Sequence, residues 1–343
     1  MSAEPAAHPP SEPFVWRDGA RTIVFRDTGL RDAPELLVEH GFESFELLTT
    51  ERAAGDAELL REAAAGVHLV PPGQVPDTAA RLLDLAGSSR LVAFGGGRVI
   101  DTAKAVAAVT GAEVAALPTT LSGAEMTGFH RIPAGAEDRI AGLVRPTLVI
   151  AEPAAMTGLP EPRLRASAMN ALAHAADSLY TPFANPVSRM TALRGAGLIA
   201  TALDEDRAGR DRASLALGAI LAGYAIDSGL FAIHHVVCQT LVRVCGSPHA
   251  ETNAGILPRA MDFMAPRAPV EIAALAAAIG TDPDRIEERI LGLGGDPPGL
   301  GSVGADRERL GEAVDAILER AELAFTPSPP GREELTELIE RAW

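Results

Sequence analysis

The 343-residue chain is 47% hydrophobic and 22% charged, an ordinary globular mix that excludes general disorder and leaves room for two domains. Its net charge of −16 repels phosphate backbones and anionic lipid surfaces, which argues against a nucleic-acid or membrane partner. An anionic cofactor or substrate would therefore need a local positive site, such as a helix N-terminus.

In chain order, residues 1–13 lack a basic stretch followed by an apolar one, so they read as a Pro- and Ala-rich disordered tail. Strand patterns stand at 22–25, 45–49, 91–94 and 113–117, with a short apolar run at 67–70. Helical periodicity falls between them, at 30–40, 57–65, 75–86 and 99–109. Such alternation predicts a mostly parallel, Rossmann-like sheet covered by helices. After Leu148-Val149-Ile150 the pattern is almost wholly helical, for example at 163–179, 213–227, 270–279 and 306–323, with a loop at 292–304. The expected architecture is an α/β N-terminal domain at 14–153 and an all-α helical domain at 154–343, with a ligand in the cleft between them. Two cysteines, Cys238 and Cys245, and no apolar run of membrane-spanning length point to a reducing, cytoplasmic setting.

The most informative local feature is Leu91 to Lys104, LVAFGGGRVIDTAK. A strand ends, Gly95, Gly96 and Gly97 turn the chain, and a helix begins. Glycines allow close backbone approach, and the helix N-terminus offers amides and its dipole to a pyrophosphate. The spacing is neither GxGxxG nor a Walker loop, and a plain turn with no ligand fits it equally well. A second polar loop, Leu117 to Thr127, follows the next strand and carries Thr119, Thr120 and Ser122 at the sheet edge where ligands gather.

Asn170 and His174 are four residues apart in a helical pattern and share a face. His234-His235 and His249 bring further imidazoles. Three imidazoles and an amide could bind a divalent metal such as Fe²⁺ or Zn²⁺, or the imidazoles could serve as proton donors.

Taken together, GGGxxxDxAK, PTTxxGxEMT, MNALAHA, HHxxC and PHAETxAxxLP resemble the maleylacetate reductase branch of the iron-containing alcohol dehydrogenases, from Val15 to Trp343. The resemblance implies a dehydroquinate synthase-like fold and a homodimer. It also implies hydride transfer from NADH or NADPH to a small carbonyl or enone acid, with maleylacetate reduced to 3-oxoadipate as the leading expectation. Gly95, Gly96, Gly97, Asp101, Lys104, Thr119 and Thr120 match cofactor positions. Asn170, His174, His235 and His249 match the metal-ligand positions of the wider family. The first of these is usually Asp, and a neutral amide weakens divalent binding, so weak or absent metal is expected.

Other positions depart from the reductases. Gln239 and Asn253 stand where they carry histidines, Arg98 replaces a Ser, and Ala324-Phe325-Thr326-Pro327 lacks a Tyr. Gln and Asn form hydrogen bonds but do not exchange protons near neutral pH. The catalytic candidates are therefore His235, His174 and Gln239, with His235 favoured as proton donor because it lies one turn from Gln239. Thr50 stands at the ribose end of the second strand; Glu51 beside it favours NADH, and Arg52 is compatible with NADPH. Two other readings are a metal-retaining alcohol or aldehyde dehydrogenase and a cofactor-binding protein that has lost catalysis.

Overall fold

The computed structural model describes residues 19–83, 88–139 and 142–343. The tail at 1–13 and the end of the helix expected at 75–86 lie outside the described residues. Six strands form one sheet: β1 (Thr22–Phe25), β2 (Glu46–Thr49), β3 (Gly66–Leu69), β4 (Arg90–Gly95), β5 (Glu113–Pro118) and β6 (Leu148–Ala151). Every pairing is parallel and the order is β1-β6-β5-β4-β2-β3.

The helices α1 (Gly29–Glu39), α2 (Glu58–Ala63), α3 (Val75–Leu82) and α4 (Gly97–Thr110) connect the strands. Strands buried on both faces need near-continuous apolar runs, and Leu91-Val92-Ala93-Phe94 supplies one. Leu91 and Ala93 pack on one side with Leu82 and Ile100, while Val92 and Phe94 pack on the other with Leu37 and Leu60. This is the period-two alternation of a strand.

The sense in which the chain adds strands to the sheet reverses between β2 and β4. From β2 the chain moves outward to β3; from β4 it moves the other way to β5 and β6. Adjacent connections leave in opposite directions there, opening a crevice at the strands' carboxyl ends. Thr49 and Gly95, at the ends of β2 and β4, flank it.

From Pro153 onward there are only helices and turns: α5 (Pro153–Met156), α6 (Glu161–Tyr180), α7 (Pro186–Asp204), α8 (Arg212–Gly229), α9 (Ile233–Val244), α10 (His249–Met264), α11 (Pro269–Ala278), α12 (Ile286–Gly294), α13 (Leu310–Leu318) and α14 (Arg332–Glu340). Their core is built from small side chains, among them Ala171, Ala175, Ala196, Ala200, Ala219 and Ala222, which lets α6, α7 and α8 pack closely. A capping box starts α7, with the Asn185 side chain accepting from the Val187 and Ser188 amides and Ser188 Oγ accepting from the Asn185 amide. Among the described residues no single helix is long and apolar enough to cross a membrane.

Two local expectations are corrected. The helix expected at 306–323 is α13 between two 3-10 turns, Arg307–Arg309 and Ala321–Phe325. Arg320 leaves helical geometry at φ −73°, ψ 122°, and its guanidinium binds Gln239 and Glu322. The loop expected at 292–304 is partly regular: α12 continues to Gly294, where Gly295 closes it at φ 72°, and Leu300–Val303 forms a 3-10 turn. Leu300 is buried there and its amide donates to the Ala342 carbonyl, a contact made by residues far apart in sequence.

Candidate active site

Gly96 is the N-cap of α4 and Gly97 its first residue, so the helix starts two residues earlier than the periodicity indicates. Amides in the first turn of a helix have no intrahelical acceptor and are available to an anion. The glycines are required by the neighbouring loop. A Cβ on Gly96 would lie 2.9 Å from Thr120 Cγ2, and one on Gly97 3.0 Å from Ser122 Cβ and Oγ. The glycine loop and the loop after β5 therefore form one continuous wall, joined also by the Thr119 amide donating to the Gly95 carbonyl at 2.9 Å.

Two hydroxyls at this crevice, Thr49 Oγ1 and Thr120 Oγ1, are buried without a hydrogen-bond partner, a costly arrangement that a polar ligand would relieve. Thr50 is half-buried and its Oγ1 accepts from the Ala53 amide at 3.1 Å. Lys104 is placed differently from its neighbours in the motif. It is fully buried, and its Nζ donates to Asp101 Oδ1 at 2.8 Å, the Ala124 carbonyl at 3.0 Å and Thr127 Oγ1 at 3.4 Å. Its charge ties α4 to the polar loop, and Asp101 is the member of the pair left half-exposed.

The same loop leads to the histidines. The Asn170 amide nitrogen lies 3.4 Å from the Ser122 carbonyl and 3.4 Å from His174 Nε2. Gly123, at φ +70°, packs so tightly on His174 that a Cβ would be 3.0 Å from its ring. The His174 and His235 rings stack with centroids 5.0 Å apart and planes 17° from parallel. His235 Nδ1 pairs with Asp177 Oδ2 at 2.8 Å, leaving Nε2 buried without a partner.

Asp177 is fully buried and escapes the sequence reasoning, although it sits on the Asn170–His174 helix only three residues beyond His174. It also accepts from the Ala232 and His235 amides, at 3.1 and 3.2 Å, and from the Tyr180 hydroxyl. Burial opposes its charge, but the bonds from His235 and Tyr180 hold the carboxyl well below the usual carboxylate range. A carboxylate on Nδ1 fixes the tautomer and presents Nε2 outward.

The other histidines differ. Burial, then the neighbouring imidazoles, pushes His174 far below the ordinary range and His234 down to about 3. His234 Nε2 lies 3.0 Å from Asn253 Oδ1, and Asn253 Nδ2 donates to the His249 carbonyl at 2.6 Å, so Asn253 joins α9 to α10. His249 stands at the start of α10, where desolvation of the ring and then the charge of His235 lower it. Gln239 Oε1 accepts from Arg320 at 3.2 Å.

The four residues at the expected metal positions do not form a fitting donor set. Asn170 brings no charge and its amide nitrogen faces His174 Nε2. The nearby carboxylate, Asp177, is already occupied by four donors. Among the described residues no group of three His, Cys, Asp or Glu is arranged around a common point.

The chain matches the family model for iron-containing alcohol dehydrogenase over residues 20–153 and that for the C-terminal part of the Fe-containing alcohol dehydrogenase family over 165–343. It is 32% identical to maleylacetate reductase 1 of Rhodococcus opacus over 97% of each chain. The crystal structure of maleylacetate reductase from Rhizobium sp. superposes with a TM-score of 0.84 at 28% identity, covering 97% of this chain and 98% of that one. That of an iron-containing alcohol dehydrogenase from Corynebacterium glutamicum superposes with a TM-score of 0.86 at 29% identity, covering 96% and 97%.

Proposed function

The chain belongs to the iron-containing alcohol dehydrogenase family, and from that premise we propose that it is an NADH-dependent reductase of a small enone or keto acid, with maleylacetate the leading substrate. The observation that carries this reading is the uninterrupted series of contacts from the glycine loop through Thr120, Ser122 and Asn170 to His174 and His235. In this reading the glycine loop is the pyrophosphate cradle and the imidazole of His235 belongs to the same site.

NADH supplies the hydride when bound. The α4 amides and the Thr49 and Thr120 hydroxyls hold its anionic and polar parts, Asp101 borders the cradle, and Thr50 and Glu51 receive the ribose, which favours NADH. His235 Nε2 passes a proton to the enone carbon next to the one that takes the hydride, or to the carbonyl oxygen, and Asp177 orients the ring through Nδ1. His174 stays neutral and packs as a plate against His235. Gln239 accepts from Arg320 and exchanges no proton near neutral pH. No step runs through a metal. The protein works in the cytoplasm as a homodimer built from an N-terminal cofactor domain and a C-terminal helical domain.

The test is NADH oxidation with maleylacetate and with neutral aldehydes, each in EDTA. Turnover of maleylacetate that survives chelation is expected. His235→Ala should lower kcat by about 10²–10⁴-fold with NADH affinity retained. Activity confined to the aldehydes and restored only by Fe²⁺ or Zn²⁺ would replace this reading with a metal-dependent alcohol dehydrogenase.

A further inference from the structure

A cavity opens where the N-terminus of α6 meets the turn joining α7 to α8. Thr157, Gly158 and Glu161 line it from the α6 end, and Arg207, Arg210 and Arg212 from the turn. Its volume of about 120 Å³ is below that of a cofactor pocket and suits one small group. Along α6, Glu161 is about 14 Å from Asn170, so a small ligand held here does not reach the histidines.

The turn is built by its own carboxylates. Asp206 Oδ1 accepts from the Gly209 amide at 2.8 Å, and Glu205 Oε2 from the Asp211 amide at 2.7 Å. Asp211, the N-cap of α8, accepts from the Ser214 amide at 3.0 Å and from its hydroxyl at 2.7 Å. Side-chain oxygens that cap backbone amides in this way hold a turn in one shape. None of these acids forms an ion pair with Arg207 or Arg212. Both arginines are exposed, and among the described residues neither makes a hydrogen bond, an ion pair or a ring contact.

Arg210 is buried and joins the two sides of the cavity. Its Nη1 and Nη2 donate to the two Glu161 oxygens at 2.7 and 2.8 Å. Its Nε donates to the Ala202 carbonyl at 3.1 Å and its Nη2 also to the Glu205 carbonyl at 3.5 Å. A guanidinium has five N–H donors, so one hydrogen on Nη1 is left without an acceptor among the described residues. Glu161 also accepts from Arg165 Nε at 2.7 Å. These bonds, Arg210's first, outweigh burial and hold its carboxyl down to about 2. The acid in the wall is thus already committed to arginines.

The wall therefore offers two unpaired guanidinium groups and a spare Arg210 donor, in a protein whose net charge is −16. Beside them stand the first-turn amides of Glu161 and Arg163, which have no intrahelical acceptor. Donors of both kinds around one small space match a tetrahedral oxyanion, which accepts along several directions at once.

We propose that this cavity binds a phosphate group, as inorganic phosphate or as the phosphate of a small monoester, held by Arg207 and Arg212 against the N-terminus of α6. The site is independent of the reductase reading. A ligand here ties α6, which carries Asn170, His174 and Asp177, to the α7–α8 turn.

The experiment is calorimetric titration with inorganic phosphate and with glycerol phosphate, at constant ionic strength, with and without saturating NADH. The wild type is compared with Arg207→Gln, Arg212→Gln and the double variant. Each single substitution should weaken phosphate binding about 10-fold and the pair about 100-fold, the effect of losing charge-assisted bonds. The unfolding midpoint without phosphate should stay unchanged, because neither side chain has a protein partner to lose. Tighter binding of the monoester identifies a phosphorylated metabolite as the ligand, and tighter binding of inorganic phosphate identifies the free ion. Equal affinity in wild type and double variant overturns the site, as does absence of binding to the wild type. Phosphate displaced by NADH belongs to the glycine loop and also overturns it. Acetate binding as tightly as phosphate overturns the assignment to a phosphate group. If NADH itself does not bind, the reductase reading fails, and the loss of phosphate binding in the variants decides this site alone.

Discussion

At the scale of single residues, Glu125 is a buried group that the proposed chemistry leaves unused. It lies in the polar loop, is fully buried, and neither carboxylate oxygen has a hydrogen-bond partner. Burial raises its pKa from 4.5 to about 7, with Lys104 opposing only in part. The folded state therefore keeps a proton that the unfolded chain releases near pH 4.5. Between about pH 4.5 and 7 the unfolded state binds fewer protons, so stability falls as pH rises, by an amount on the order of 3 kcal/mol. Glu125→Gln should flatten this slope and raise the urea midpoint at pH 8 relative to the wild type. An identical pH profile in both proteins would show that Glu125 ionises without cost. Asp177 has the opposite sign: its depressed pKa contributes stability that is lost only in strong acid, as pH falls through the folded value.

At the scale of elements, α7 and α8 meet at glycines. A Cβ on Gly195 would lie 2.8 Å from the Gly218 carbonyl, and one on Gly218 2.8 Å from Ile199 Cγ1 and 2.9 Å from the Gly195 carbonyl. Backbone cannot yield as a flexible side chain does, so the helices must separate. Gly218→Ala should cost about 1–3 kcal/mol in chemical unfolding, more than offsetting the gain in helix propensity, while NADH affinity is kept. Stabilisation by the substitution would mean the helices have room to spare. Gly123 and Gly223 extend the same device to the site: a Cβ on Gly223 would be 2.9 Å from Met126 Cβ and 3.1 Å from Gly123 Cα, which seats the polar loop on α8.

At the scale of the whole molecule, the proposed ligand site draws on both the sheet edge and the helices, so ligand binding should stabilise them together. NADH at about 100 times its Kd should add roughly 2.7 kcal/mol and raise a single melting transition by roughly 3–6 °C. A second transition left unmoved by NADH would place the cofactor within one half alone. The alternation of short apolar runs and helical periods was enough to read the parallel sheet and the helical half, because burial on both faces or on one stripe is written in residue spacing. Glycine loop, polar loop and the Asn170–His174 pair were legible for the same reason: each is a local pattern of a few residues. What sequence could not supply is convergence. His235 meets Asp177 across 58 residues, and Arg320 meets Gln239 across 81, so these partners are chosen by how α6, α9 and the turn after α13 pack. The role of each imidazole was likewise a tertiary matter, because burial and the neighbouring charge decide whether a histidine ring can carry a proton, and neither is a property of the segment that contains it.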